Sequence, residues 1–267
     1  MTDVQLGGLD RSAVQQTLLD AAEIAAAVTL PRFRSGIAVD NKKTEGFDPV
    51  TEADRAAELR IRELIGARFP DHGIVGEEWD DKAADSPFTW IIDPIDGTRA
   101  FITGVPVWGT LVGLMVDGRA VAGLMAQPFT GEVFLGLPGD ASYHRGSDRQ
   151  TLKTSARTSL AEARVSATSP EQFARDHHAR AWSALLSRTL VVRYGMDCYA
   201  YCMLAAGHLD IVVETRLKNV DIAPLIPMIK GAGGIVTTWE GGPAEQGGDC
   251  IAAATPELHA AALELLK

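Results

Sequence analysis

Cysteine is scarce in this sequence: Cys198, Cys202 and Cys250 are the only three among 267 residues. Three cannot build a disulfide framework, and no Cys-x-x-Cys pair points to structural zinc or redox work; they read as reduced packing residues. Positive charge is also short. Lys and Arg number 25 against 35 Asp and Glu, a formal charge of −10, which repels a phosphate backbone and argues against nucleic acid as the main ligand. A small anionic substrate would then need local positive charge, from a metal or from helix N-termini. No apolar run approaches the roughly 20 residues of a membrane span. The opening MTDVQLGGLDRSAVQQ has neither the basic start nor the apolar core of a signal peptide, so the expectation is a cytoplasmic protein that engages no membrane. What remains, 46% hydrophobic and 22% charged, excludes disorder and suits one large domain or two packed halves.

The apolar spacing of Val14, Leu18, Ala22, Ala25 and Val28 predicts a long first helix ending before Pro31. Residues 35–50 are polar and read as a loop or short hairpin. Ala53, Ala57, Ile61, Leu64 and Ile65 give a second helix, capped by Thr51 and stopped by Pro70. Five short apolar runs follow, at 73–75, 89–92, 107–115, 120–126 and 132–137, separated by turn residues such as Asp117-Gly118 and Thr130-Gly131; these read as strands of a sheet. The acidic stretch 80–85 reads as a solvated loop. Residues 138–151 lack periodicity and form the best linker, which places a division near 145/146. Beyond it, strands at 163–167, 189–193, 209–213, 235–238 and 250–254 alternate with helices at 170–186, 197–206, 222–230 and 256–266, a layered α/β arrangement. Residues 1–145 are expected as one α+β subdomain and residues 146–267 as a second, α/β subdomain.

The chemistry concentrates in Trp90-Ile-Ile-Asp93-Pro-Ile-Asp96-Gly97-Thr98, where an apolar strand ends in two carboxylates three residues apart around a proline. Such a pair can share hard divalent cations, since Mg²⁺ takes oxygen ligands together with water and phosphate oxygens. If a short helix starts at Gly97-Thr98, its free amides would receive a phosphate beside the metal. In isolation the segment also reads as a plain Asp/Pro/Gly turn. Gly76-Glu77-Glu78 places further acids after a strand, or merely on a solvated surface. Thr51-Glu-Ala-Asp54 matches a capping box, and Asp221 reads as a helix N-cap. What distinguishes Asp54, Glu77, Asp93, Asp96 and Asp221 is that each lies at the end of an element next to apolar sequence. Clustered without a metal, they would repel.

Gly76-Glu-Glu, Trp90-Ile-Ile-Asp-Pro-Ile-Asp-Gly-Thr, Val220-Asp221 and Asp48-Pro-Val-Thr-Glu-Ala-Asp54, in their order along the chain, resemble the inositol monophosphatase family of Mg²⁺-dependent, lithium-sensitive phosphatases. The resemblance covers nearly the whole chain and includes Lys43, where the family carries a lysine near its metal site. It implies an α-β-α-β-α sandwich of two subdomains, commonly a homodimer, with two or three Mg²⁺ ions per active site. By the same resemblance, Glu77, Asp93, Asp96, Asp221 and the Ile95 carbonyl would bind metals. Asp54 and Thr98, with Glu77, would help orient or deprotonate the attacking water, and Gly97 and Thr98 would touch the substrate phosphate. The implied reaction is in-line attack of a metal-activated water on a phosphate monoester, without a phosphoenzyme.

Substrate choice is expected to lie in residues 193–214. Inositol enzymes typically carry a small residue at the position of Asp197, whereas this stretch, together with residues 93–110, Lys218 and Gly231-Ala-Gly-Gly, is similar to the histidinol-phosphate phosphatase branch. A carboxylate suits the ammonium and imidazole of L-histidinol phosphate better than it suits a neutral polyol. Glu214 discriminates less, and Asp197 also reads as a helix N-cap. Inositol monophosphate or a 3′-phosphonucleotide is the alternative substrate; a family member retained for binding or regulation is the alternative class. A glycosidase using Asp93 and Asp96 fits poorly, since residues three apart in a turn do not face opposite sides of a sugar. Gly231–Gly234 reads as a helix stop, and His177-His178 as surface residues of a polar helix.

Overall fold

The computed structural model describes residues 6–36, 38, 40, 41 and 49–267. Helices α1 (Arg11–Thr29) and α2 (Glu52–Arg68) flank a two-residue pairing of β1 (Asp40–Asn41) with β2 (Pro49–Val50). The five short apolar runs then become the first five strands of a seven-stranded sheet: β3 (Gly73–Gly76), β4 (Phe88–Asp96), β5 (Gly109–Val116), β6 (Arg119–Gln127), β7 (Glu132–Leu137), β8 (Asp140–Arg145) and β9 (Asp148–Thr151). They lie in sequence order; only β3 and β4 are parallel. A short helix, α3 (Thr98–Thr103), follows β4.

A five-stranded sheet, ordered β11-β10-β12-β14-β13, is formed by β10 (Arg164–Ala167), β11 (Val191–Tyr194), β12 (Ile211–Leu217), β13 (Ile235–Thr238) and β14 (Gly248–Ala253). Its helices are α4 (Asp176–Leu186), α5 (Asp197–Ala205), α6 (Asn219–Ile222), α7 (Ile226–Gly231) and α8 (Pro256–Leu266). Helices α1 and α2 cover the outer face of the first sheet, α5–α7 lie between the sheets, and α4 and α8 cover the second, which makes the expected α-β-α-β-α sandwich. Three apolar clusters fill the gaps between layers, centred on Leu18, Ile61 and Trp90; on Cys202, Ile226 and Met228; and on Trp182, Ile211 and Leu258.

Several expectations need correction. Residues 138–151 are no linker but the β8–β9 extension of the first sheet, whose register pairs Leu137 with Asp140 and Arg145 with Asp148. The edge strand β9 is exposed throughout, and β8 buries only the adjacent Ala141 and Ser142, so neither shows an alternating apolar pattern. The helix expected at 170–186 is split into a 3₁₀ turn, Pro170–Phe173, and α4, with Arg175 extended between them; the break lets Phe173 stack on Trp182 at 4.3 Å. The helix expected at 222–230 is likewise two helices, because Pro224 and Pro227 cannot donate the backbone bonds a continuous helix needs. His178 is buried, not superficial, with Nε2 2.8 Å from the Asp249 carboxylate. Among the described residues, no helix is long and apolar enough to cross a membrane.

The central helices reach the first sheet through a row of glycines. Gly113, Gly123 and Gly136 are cross-strand neighbours on β5, β6 and β7. A Cβ on Gly123 would lie 2.1 Å from the Pro224 carbonyl oxygen, and one on Gly136 would lie 2.1 Å from the Met228 nitrogen. The missing side chains form a groove in which the backbone of 224–228 rests, and this seating fixes where Asp221 emerges. Gly123→Ala is expected to lower unfolding stability by about 3 kcal/mol or more, the upper end of overpacking costs, because the obstacle is backbone. Gly66→Ala, in α2 with nothing within 4 Å of its added methyl, should instead raise stability by about 0.5–1 kcal/mol. Chemical denaturation of the two variants checks both signs.

Candidate active site

Strand β4 is buried through Trp90, Ile91 and Ile92 and then runs into Asp93-Pro-Ile-Asp96. Asp93 pairs with Leu111 and Asp96 with Gly109, so three steps on β4 oppose two on β5. The expected turn is therefore a bulge inside the strand. Thr110 Oγ1 donates to the Pro94 carbonyl at 2.8 Å and Ile95 N–H donates to Asp93 Oδ1 at 3.1 Å, which holds the bulge in shape. Asp221 is the third residue of α6 rather than its cap; its Oδ2 accepts the Lys218 backbone N–H at 2.7 Å. Carboxylate oxygens of Asp93, Asp96 and Asp221 all lie within 4.8 Å of one another.

Glu77 and Asp54 border this trio. Asp93 is buried and its carboxyl is pushed well above the usual range, first by burial and then by the charges of Glu77, Asp96, Asp221 and Asp54. Asp96 is pushed up for the same reasons, with Asp197 and Asp221 as its charged neighbours. Asp54 sits at the start of α2, where its Oδ2 accepts from Thr51 N–H at 2.8 Å and Thr51 Oγ1 at 2.6 Å; the capping box is present. Capping and a place at the cluster coexist. Glu77 is positioned from α2: buried Glu58 accepts the Glu78 N–H at 2.8 Å and pairs with Arg62 at 2.8 Å. Gly76 makes room for this, since its Cβ would lie 2.0 Å from Glu58 Oε1. Lys218 Nζ lies 2.8 Å from Glu77 Oε1.

The Ile95 carbonyl accepts from Thr98 Oγ1 at 3.2 Å, and Gly97 precedes α3 with φ +80°. Opposite Gly97 stands Asp197, whose carboxylate would meet a Gly97 Cβ at 3.1 Å. Asp197 has φ +44°, a left-handed conformation uncommon for a non-glycine residue and a mark of local strain. It is the first residue of α5, with Met196 rather than Asp197 at the cap, and the next amide, Cys198 N–H, donates to Asp96 Oδ2 at 2.8 Å. Burial raises the Asp197 carboxyl to about 6, against Arg99 and a Thr168 hydrogen bond. Burial likewise raises Glu214 to about 7, although Gln172 and Thr168 oppose it. Thr168 donates to Glu214 Oε1 from N–H at 2.7 Å and from Oγ1 at 3.0 Å.

Asp96, Thr98, Asp197, Glu214 and Asp221 all line one cavity of about 500 Å³. Of the residues expected at the site, Lys43 lies outside the described residues, as does Asp48. The others converge on the cavity or its acidic floor. Thr168, Gln172 and Glu58 were not anticipated; each acts on a residue far away in sequence and carries no local signal.

Three hard carboxylate oxygen donors at this separation, with further acids beside them, fit a divalent cation such as Mg²⁺. The contrast with Asp210 sharpens the point. That acid is also buried, yet despite burial its carboxyl is held below the usual range by Arg164, Ser155 and the Arg164 amide.

A profile of the inositol monophosphatase family matches residues 10–267. The chain belongs to the inositol monophosphatase family. It is 36% identical over 271 residues to the bifunctional phosphatase IMPL2, chloroplastic, of Arabidopsis thaliana, an alignment that covers 97% of this chain and 76% of that protein. It is 35% identical to a histidinol-phosphatase of Chlorobaculum parvum, over 85% of this chain and 86% of that one. The structure of an inositol monophosphatase from Zymomonas mobilis superposes with a TM-score of 0.85 and 34% identity, covering 97% and 99% of the two chains. This family consists of phosphatases and is generally Mg²⁺-dependent, so the chain is a phosphatase of the inositol monophosphatase type.

The raised carboxyls have a consequence for stability. Each binds its proton more tightly folded than unfolded, so between about pH 4 and 7 the folded state holds more protons and stability falls as pH rises. Metal-free protein should therefore lose stability across that window. Asp93→Asn should flatten the loss, and saturating Mg²⁺ should reverse it; thermal melts from pH 4.5 to 8 with and without chelator measure both.

Proposed function

We propose that this chain is a Mg²⁺-dependent phosphate monoesterase that hydrolyses L-histidinol phosphate to L-histidinol and phosphate. The observation that carries the substrate is Asp197: a strained residue whose carboxylate lies against Gly97, beside the acidic trio, in a cavity that also contains Glu214. Likeness to a histidinol-phosphatase at 35% identity supports the same reading.

In this reading Asp93, Asp96, Asp221 and Glu77, with the Ile95 carbonyl, hold the cation. Bound Mg²⁺ supplies charge neutralisation for the phosphoryl group and acidifies the attacking water. Asp54 and Thr98 orient that water, and Asp54 is suited to the task because Thr51 N–H and Oγ1 hold its carboxylate in place. The Gly97 and Thr98 amides at the start of α3 receive phosphate oxygens. The new P–O bond forms to the water oxygen, the bond from phosphorus to the alcohol oxygen breaks, and the water's proton is passed on so that the alcohol leaves neutral.

The phosphoryl group is common to every candidate ester, so discrimination must come from the alcohol. Asp197 and Glu214 give the cavity two carboxylates suited to pair with an amine and an imidazole. Thr168 donates to Glu214 from both its N–H and its hydroxyl and lines the same cavity as Asp197. Inositol 1-phosphate is the second reading, favoured by the 34% identity to the Zymomonas mobilis inositol monophosphatase and by Glu214, which can serve a hydroxyl as well as an ammonium.

Asp197→Ala should lower kcat/KM for histidinol phosphate by about ten- to a hundredfold, the worth of one charge-assisted hydrogen bond at roughly 1.5–3 kcal/mol. Inositol 1-phosphate turnover should change little. Equal loss on both esters would make Asp197 a structural residue and remove the main support for histidinol phosphate. Asp54→Asn should lower kcat by about a hundredfold or more with little change in KM, and steady-state kinetics with Mg²⁺ separates this from a stability defect, since Asn still accepts cap hydrogen bonds.

A further inference from the structure

Strand β12 ends irregularly. Glu214 pairs with Cys250 and Leu217 with Gly248, so β12 carries one extra residue, and Arg216 takes φ +60°. The Arg216 N–H donates to Asp249 Oδ1 at 3.0 Å. Immediately after, the chain presses on Gly247, whose Cβ would lie 2.2 Å from the Leu217 carbonyl oxygen and 2.8 Å from the Lys218 carbonyl carbon. A bulge, a left-handed non-glycine residue and a glycine that only its missing side chain allows thus shape three residues, 216–218. Their outcome is that Lys218 reaches Glu77, 141 positions away in sequence, at 2.8 Å.

Stability does not account for this construction. The Lys218 side chain is 56% exposed and the Glu77 side chain 15%, and an ion pair whose ammonium stays in solvent adds little to folding. The place matters more: Glu77 raises the charge burden on Asp93, and Lys218 also contributes its backbone N–H to Asp221. Lys218 therefore touches the acidic floor twice, once as an amide and once as a cation.

We propose that Lys218 is an internal counter-cation, a positioning residue that holds Glu77 while the acidic cluster has no metal and competes with the divalent ion for it. The inference rests on the metal reading above. A carboxylate that neutralises an ammonium has less negative potential to offer a second cation, and the ammonium repels that cation as well. Lys218 therefore lowers the affinity for Mg²⁺ and keeps Glu77 placed when the ion is absent.

The test is calorimetric titration of metal-free protein with MgCl₂, and in parallel with MnCl₂, without substrate, for wild type, Lys218→Met, Glu77→Gln and the double variant. Lys218→Met should bind either ion about two- to fivefold more tightly than wild type, the range set by an exposed ion pair. In the Glu77→Gln background the same change should give a smaller gain, because only the direct repulsion between ammonium and ion remains, an outcome that a merely structural lysine would not produce. Equal or weaker binding by Lys218→Met, or an equal gain with and without Glu77, overturns the proposal. Should Lys218→Met not fold, Lys218→Gln is titrated in its place with the same expectations. Wild type that binds neither ion would overturn the metal reading and this inference together, whereas binding that is unchanged in Lys218→Met overturns the inference alone.

Discussion

Carboxylates of Asp93, Asp96 and Asp221 lie within 4.8 Å of one another, with Glu77 and Asp54 close enough to act on Asp93. Like charges at such distances in a partly desolvated place oppose folding, so the surrounding structure must hold them there. Strand β4 does so with a bulge that Thr110 pins to the Pro94 carbonyl. Helix α6 does so by a capping contact from Asp221 to Lys218, and the following segment is seated on Gly113, Gly123 and Gly136. Helix α2 does so by offering Glu58 to the 76–78 loop. Each device is ordinary by itself. Together they bring acids from positions 54 to 221 to one point, against their mutual repulsion.

The molecule neutralises buried acid elsewhere by other means. Asp210 receives Arg164 through Nε at 2.8 Å and through a second guanidinium nitrogen at 3.0 Å, and that pair ties β10 to the start of β12. Among the described residues no arginine takes this position between Asp93 and Asp96, whose charged neighbours are acids, and the Cys198 amide on Asp96 only partly offsets them. A site that retains its negative charge in this way is suited to a mobile cation. Strain is distributed consistently with that purpose: two of the non-glycine residues with positive φ, Asp197 and Arg216, line the same cavity as Asp96 and Asp221.

The sequence announces the acids more readily than the scaffolding that holds them. Asp93 and Asp96 follow a run of buried strand residues, and Thr51-Glu-Ala-Asp54 is a local capping pattern, so periodicity and spacing reveal both. The helices at 11–29, 52–68 and 256–266 follow from apolar spacing with caps at their starts. By contrast, nothing near Gly123 or Gly136 tells that a helix backbone will approach them, because the partner lies about ninety to a hundred residues onward. The β8–β9 strands escape notice since β9 is an exposed edge that needs no apolar face, and β8 buries only the adjacent Ala141 and Ser142. The burial of His178 depends on Asp249, and the setting of Glu214 depends on Thr168, across separations of 71 and 46 residues. Local pattern thus reports what a residue's own element requires, while these contacts are consequences of how the layers meet.

The claim on which the account turns is that the acidic trio is a cation site. Anomalous diffraction from crystals of the metal-free protein soaked in MnCl₂ tests it most directly, since Mn²⁺ takes the same hard oxygen ligands as Mg²⁺ and is visible by its own scattering. The account predicts an anomalous peak bounded by carboxylate oxygens of Asp93, Asp96 and Asp221, and its disappearance in Asp93→Asn crystals treated alike. A trio without a peak at saturating Mn²⁺, or a peak that persists unchanged in Asp93→Asn, would contradict it.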